Sequence, residues 1–144
     1  MEPYGEIIMK AYVDGSSTGL YGYEITTPRK ERSLVRDHPM TNNQAEWLAL
    51  VHLLMNLEPR TKLTIFSDSQ IVVNQLIGAW ETRDKEMRHL KGVARELIEI
   101  KELNVKMIWI PRKQNVFGWY LDKIMKHRRK KRRKRRERIR RGYN

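Results

Sequence analysis

The chain has 144 residues, 40% of them apolar and 33% charged, with a formal net charge of +13. That length suits one domain of about 100–150 residues, and no apolar run approaches the roughly 18 residues that a membrane span needs. The absence of cysteine excludes disulfides and thiolate metal sites.

The charge is unevenly spread. Between Lys126 and Arg141 lie 13 of the 30 Lys and Arg residues and one acid, Glu137, which leaves residues 1–125 near neutral. The opening segment, Met1-Glu2-Pro3-Tyr4-Gly5-Glu6, lacks the charged-then-apolar pattern of a signal peptide. The expectation is a soluble monomer without membrane contact, cytoplasmic or nucleoid-associated, or nuclear if the source is eukaryotic.

Ile7 to Val13 reads as a strand that runs into the turn Asp14-Gly15-Ser16-Ser17. Leu20 to Thr27, stopped by Pro28, and Glu31 to Arg36 complete a meander. Trp47, Leu50, Val51 and Leu54 recur at helical spacing after Thr41-Asn42-Asn43, where a Thr or Asn cap and Glu46 in the first turn mark a helix start. Lys62 to Ser67 is a short strand meeting Asp68. Helices are expected over Gln70 to Ile77 and over Asp84 to Leu103, the second with Met87, Leu90, Val93, Ala94, Leu97 and Ile98 on one face. Val105 to Ile110 is a last strand, and a helix begins near Asn115. Three strands, a helix, a strand, two helices, a strand and a helix suit an α/β fold with a mixed five-stranded sheet, three strands antiparallel and two parallel, flanked by helices.

Three acids lie where chemistry tends to lie: Asp14 at the end of the first strand, Glu46 early in the first helix, and Asp68 at the end of the fourth strand. If the first and fourth strands are parallel neighbours, Asp14 and Asp68 sit about 5 Å apart across the ladder, with Glu46 above them. Clustered carboxylates repel one another until a divalent cation relieves the repulsion. Oxygen ligation without His or Cys favours Mg²⁺ or Mn²⁺, and such a cluster suits two ions about 3.5–4 Å apart, as in many nucleases. Taken singly, each acid has an ordinary explanation: a strand-end Asp serves turns and caps, and a Glu near a helix start complements the helix dipole.

Together with their flanks, these residues resemble the type 1 ribonuclease H family. The matching segments are Tyr12-Val13-Asp14-Gly15-Ser16, Thr41-Asn42-Asn43-Gln44-Ala45-Glu46, Phe66-Ser67-Asp68-Ser69-Gln70 through Leu76, and Trp109-Ile110-Pro111-Arg112-Lys113-Gln114-Asn115. They occur in the family's order over roughly residues 6–125. The resemblance implies a ribonuclease H-like fold over 1–125 and cleavage of the RNA strand of RNA–DNA hybrids. It makes Asp14, Glu46 and Asp68 metal-binding catalytic residues. Asn42 and Asn43 would reach the minor groove, where side-chain amides meet base edges and the RNA 2′-OH. Thr41 would bind a DNA-strand phosphate, and Gly15 and Ser16 would present backbone groups to the RNA. Asn74 and Asn115 join these as substrate contacts. Trp80 is expected to pack in the core rather than stack on DNA sugars. The short Leu76 to Leu90 connection indicates a form without the basic protrusion that some members use to grip DNA.

The chain departs from the family near its end. Asn115-Val116-Phe117-Gly118 leads to Trp119, where the family pattern has a fourth carboxylate, and Asp122 follows three residues later. Three helical residues advance about 4.5 Å and return to nearly the same face, so Asp122 is the candidate fourth catalytic and metal-binding acid. The alternative is a surface acid paired with Lys126. No His stands between Ile110 and Asp122, and His38, His52, His89 and His127 read as structural or solvent-exposed.

Residues 126–144 form a basic tail, disordered or continuing as a helix, that suits sequence-independent nucleic-acid binding with a steep salt dependence. A nuclear import signal is the rival reading of the tail. For the whole chain, the alternatives to a hybrid-specific nuclease are a catalytically weak nucleic-acid-binding module and another nuclease, resolvase- or transposase-like, on the same fold.

Overall fold

The computed structural model describes residues 7–142. Five strands, β1 (Met9–Gly15), β2 (Leu20–Thr27), β3 (Glu31–Arg36), β4 (Lys62–Ser67) and β5 (Asn104–Trp109), form one sheet in the order β3-β2-β1-β4-β5. The first three are an antiparallel meander, while β4 pairs parallel with both β1 and β5. Parallel neighbours need crossovers. These are α1 (Asn42–Met55) before β4, and α2 (Gln70–Leu76) with α3 (Lys85–Ile100) before β5. A 3-10 turn at Arg112–Gln114 leads into α4 (Val116–Arg140). This is the mixed five-stranded α/β architecture expected.

Element boundaries shift where pairing or backbone geometry overrides pattern. The first strand begins at Met9 and extends through Gly15, because Asp14 and Gly15 find partners in Gly22 and Tyr21 of β2. The third helix stops at Ile100 rather than Leu103, since Glu102 takes a φ of 52° and turns the chain into β5. A left-handed residue cannot continue a right-handed helix.

The helix α1 is more buried than one apolar stripe predicts. Ala49 and Leu53 are inside along with Trp47, Leu50, Val51 and Leu54. It lies between the sheet strands β1 and β2 and the outer helix α3, so it has two apolar neighbours and no wholly wet side. The Trp47 indole N–H is satisfied in that interior by Gln75 Oε1 at 3.0 Å. The predicted stripe of α3, from Met87 to Ile98, closes the same core.

Two glycines show that α1 and α4 cover opposite faces of the sheet. A Cβ on Gly15 would meet the Ala45 backbone of α1, whereas a Cβ on Gly22, the partner of Asp14, would lie 3.0 Å from Phe117 of α4. Neighbouring residues of a strand point to opposite faces, so Asp14 faces the α4 side. Phe117 and Leu121 anchor α4 there, both fully buried. Arg32 adds to this by pairing with the buried Glu24 at 2.6 Å and lying 3.8 Å from the centroid of the Tyr120 ring.

The close approach at Gly15 is testable. An added Cβ would lie 2.3 Å from both the C and the O of Ala45, which are backbone atoms, so α1 itself would have to move. Gly15→Ala should cost about 1–3 kcal/mol in urea unfolding, the usual range for overpacking. A variant as stable as the parent would mean that α1 sits farther from β1.

Candidate active site

The three predicted acids converge. Register between β1 and β4 runs through Tyr12 beside Phe66, and two residues further on it brings Asp14 next to Asp68. The Tyr12 and Phe66 rings stack at 4.8 Å just before the acids. Glu46 comes from α1 and lies one residue beyond the first turn, not within it. Thr41 is the N-cap in a capping box with Gln44, which makes Asn42 the first helical residue. One carboxylate oxygen from each of Asp14, Glu46 and Asp68 lies within 4.8 Å of the others.

These acids are enclosed. Asp14 is 1% exposed and Glu46 9%, and the Asp68 side chain is 13% exposed. Asp14 Oδ1 and Glu46 Oε2 are buried without a hydrogen-bond partner among the described residues. Burial, then the charge of Asp68, pushes the Asp14 carboxyl up to about 6 even though Arg112 opposes the shift. Burial, followed by the charge of Asp14, holds the Glu46 carboxyl well above the usual range. Both groups are therefore harder to ionise than ordinary carboxyls until a cation compensates them.

Arg112, to which the sequence reading assigns no role, is at the centre. Its Nη1 lies 2.5 Å from Asp14 Oδ2 and 2.9 Å from Asp68 Oδ2, and its Nη2 lies 2.8 Å from Asp122 Oδ1. The contact with Asp14 is a close ion pair rather than an aligned hydrogen bond, since Oδ2 is otherwise buried and unpartnered. Burial works against the guanidinium charge, but Asp14, Asp122 and Asp68 outweigh it and keep it protonated. Arg112 sits in a short 3-10 turn, where no periodicity marks it. Its one sequence signal is membership of the Trp109–Asn115 segment, which the strand order brings to Asp68. Among the described residues Asp122 is linked to the cluster through Arg112 alone, and its side chain is 53% exposed.

A family model for RNase H matches residues 7–131. The chain belongs to the RNase H family. The type 1 form is supported by curated and structural relatives. Ribonuclease HI of Halobacterium salinarum is 42% identical over 60 residues, which is 40% of this chain and 30% of that protein. The crystal structure of RNase H1 from the same organism matches with a TM-score of 0.64 and 29% identity, covering 74% of this chain and 88% of that one. LC11-RNase H1, solved in complex with an RNA/DNA hybrid, matches with a TM-score of 0.67 and 20% identity over 75% of this chain and 88% of that one. The N-terminal RNase H domain of a Mycobacterium tuberculosis protein gives 0.65 and 22%, covering 78% and 88%. The last two likenesses concern the fold.

The remaining predicted residues of this RNase H domain divide by what they touch. Thr41 caps α1, its hydroxyl accepting from the Gln44 N–H at 3.1 Å. Asn42 Oδ1 accepts from the Ser17 N–H at 3.0 Å, tying the helix start to the β1–β2 turn. Asn43 is half-buried at the same helix start. Gly15 is a packing glycine against α1, and the Ser16 N–H donates to the Leu20 carbonyl at 2.8 Å. Asn74 is half-buried on α2 and donates to the Gln70 carbonyl at 2.7 Å.

Asn115 corrects an expectation. It is fully buried, and its amide group donates to the Val13 carbonyl at 2.9 Å and to Asp68 Oδ2 at 3.1 Å, while Oδ1 caps α4 through the Gly118 N–H at 3.1 Å. It positions Asp68 and the helix, and no substrate can reach it. Trp80 also departs from expectation: it is 46% exposed, in the link Ile77–Asp84 between α2 and α3, because that link lies outside the layers that would cover it. His52 is half-buried on the far side of α1 against Ser33 Oγ at 2.8 Å, with its basicity lowered by burial.

The raised Asp14 value has a stability consequence. The folded protein holds this proton to about pH 6, against 3.8 for an ordinary Asp. Its contribution to stability is therefore complete below about pH 3.8 and lost as pH rises through about 6. In a chelator, Asp14→Asn should be more stable than the parent at pH 8 by on the order of 2–3 kcal/mol. The gap should close on acidification below about pH 4, where the parent's carboxyl is protonated too. Thermal unfolding at matched pH checks this, and a gap independent of pH would contradict it.

Proposed function

We propose that this chain is an endonuclease that hydrolyses the RNA strand of RNA–DNA hybrids with the help of divalent cations. The observation that carries the reading is the convergence of Asp14, Glu46 and Asp68 within 4.8 Å, with buried oxygens of Asp14 and Glu46 left without partners. A donor set made only of carboxylate oxygens suits hard ions, Mg²⁺ or Mn²⁺, two per site. When bound, such ions supply a water of lowered pKa and stabilise the leaving oxygen of an in-line displacement at phosphorus.

The protein's own part is to hold the carboxylates in place. Strand pairing keeps Asp14 beside Asp68, and Asn115 grips Asp68 from α4. The Trp109 indole donates to the Asp68 carbonyl at 3.1 Å, which steadies the turn after β4. Asp122 is our candidate for the fourth carboxylate. Its Oδ1 on the far end of the guanidinium that Asp14 and Asp68 share supports it, because this places it beside the cluster.

Hybrid as the substrate class is supported by the RNA/DNA complex of the LC11-RNase H1 neighbour and by the Thr41-Asn42-Asn43 segment at the start of α1. For grip, α4 supplies the basic segment: the helix continues unbroken from the site to Arg140. Asp122, Lys126, Arg129, Arg133 and Arg136 recur at helical spacing along one side of it. Such a stripe binds phosphates without reading sequence. A non-catalytic nucleic-acid-binding module is the second reading. It is favoured by Trp119, 48% exposed, at the place of the family's fourth acid.

Labelled RNA–DNA hybrid, duplex RNA, duplex DNA and a four-way junction, each with and without Mg²⁺ or Mn²⁺, separate these readings. Only the hybrid should be cut, and only with metal. Asp14→Asn, Glu46→Gln and Asp68→Asn should each lower kcat by at least about 10²–10³-fold, the scale of losing one electrostatic stabiliser. Asp122→Asn should follow them, and a near-normal rate would dismiss it as a ligand. Changing Lys126, Arg129, Arg133 and Arg136 to Gln should reduce the slope of log affinity against log salt by about 3 while kcat at saturation stays within about twofold. An unchanged slope would remove the tail from the substrate site.

A further inference from the structure

Arg112 and a divalent cation have claims on the same atoms. Its Nη1 lies against Asp14 Oδ2 and Asp68 Oδ2, at 2.5 and 2.9 Å, two of the oxygens that a metal in this cluster would use. The guanidinium is held at its other end by Asp122 Oδ1 at 2.8 Å and by the Gly118 carbonyl at 3.4 Å. We propose that Arg112 is a built-in, displaceable counter-ion that competes with the divalent metal for Asp14 and Asp68, and so sets how much metal the site requires. The proposal rests on reading those acids as the cation site.

Three features support a seat that is made for this side chain yet can be left. The first is Gly118. A Cβ there would lie 2.8 Å from Arg112 Nη1 and 2.9 Å from Cζ, so any larger residue at this helical position would force the guanidinium to shift from its seat. Glycine is a poorer helix former than alanine, and here, at the third residue of α4, its lack of a side chain secures the space. The second is exposure. The Arg112 side chain is 41% exposed while Asp14 is 1% exposed, so the cation can swing outward without opening the core. The third is that one guanidinium cannot satisfy the cluster, since Asp14 Oδ1 and Glu46 Oε2 remain unpartnered with it in place. A single positive charge is a partial substitute for divalent ions, strong enough to relieve apposed carboxylates and weak enough to be replaced.

Two substitutions remove the competitor in different ways. Arg112→Gln deletes the charge. Gly118→Ala keeps every charge and displaces the guanidinium, the flexible end of a long side chain, rather than the helix. Mn²⁺ binding is measured by calorimetry without nucleic acid, alongside the thermal midpoint in chelator and in Mn²⁺. Both variants should bind Mn²⁺ at least about tenfold more tightly than the parent, the lower end of what an apposed charge does to a carboxylate. Both should also melt lower than the parent in chelator and gain more from Mn²⁺. Lys113→Gln, an exposed neighbour of equal charge, should change Mn²⁺ affinity by less than about twofold, which separates occupation of the seat from general electrostatics.

If Arg112→Gln fails to fold because the carboxylates are left uncompensated, Gly118→Ala carries the test alone. Mn²⁺ affinity in Gly118→Ala equal to or weaker than the parent's overturns the proposal. So does an equal gain in Lys113→Gln. Hybrid cleavage by the parent in Mn²⁺ would in those cases leave the nuclease reading standing. Tighter Mn²⁺ binding in the variants with no hybrid cleavage by the parent would support the counter-ion and remove the nuclease.

Discussion

Parallel pairing of β1 with β4 is the constraint on which the site depends. It brings Asp14 beside Asp68, and the packing of α1 adds Glu46. Two like charges about 4–5 Å apart repel by roughly 3–4 kcal/mol at an effective dielectric near 20. Against a typical domain stability of about 5–15 kcal/mol, three uncompensated carboxylates would consume much of the margin. The fold tolerates the cluster in two ways: it raises the proton affinity of Asp14 and Glu46, and it seats Arg112 among Asp14, Asp68 and Asp122. Apolar burial elsewhere, centred on Trp47 and the leucines of α1, supplies the stability that makes the arrangement affordable.

The site is shaped from both faces of the sheet by residues that lack side chains. On one face Gly15 lets α1 approach β1 closely enough for Glu46 to join Asp14. On the other, Gly118 leaves room for a guanidinium between α4 and the strand ends, while Asn115 locks the helix start to Val13 and Asp68. Neither glycine has the positive φ that often explains the residue. Their role is clearance, and clearance is a property of the partner element rather than of the turn or helix in which the glycine sits.

The long α4 joins two regimes. Its first turns are anchored by Phe117 and Leu121 against the sheet, and by Tyr120 beneath Arg32. Beyond Met125, whose sulfur accepts from Ser16 Oγ at 3.1 Å, the helix carries basic residues on every side. Neighbouring like charges at i and i+4 disfavour such a helix, but nucleation is the costly step and the buried turns have already met it. The basic segment is thereby pointed away from the carboxylates along a defined line, which agrees with the proposed grip on nucleic-acid phosphates.

Much of this was legible in the residues themselves. The order of elements and the mixed sheet followed from apolar period and from turn residues, because those patterns reflect which side of each element must be dry. Asp14, Glu46 and Asp68 stood out because their flanking motifs are local in sequence. What escaped were particular contacts made across the fold. Arg112 lies 44 residues from Asp68, yet donates to it at 2.9 Å. Asn115 read as a substrate contact and is instead enclosed, since burial depends on what α4 packs against rather than on residue type. Trp80 read as core and is exposed for the converse reason. Local sequence determines the period, the caps and the chemistry each side chain can offer. Only tertiary structure decides which charges meet, which are desolvated and which cation stands between them, because Coulomb energy and desolvation depend on distances that chain order does not specify.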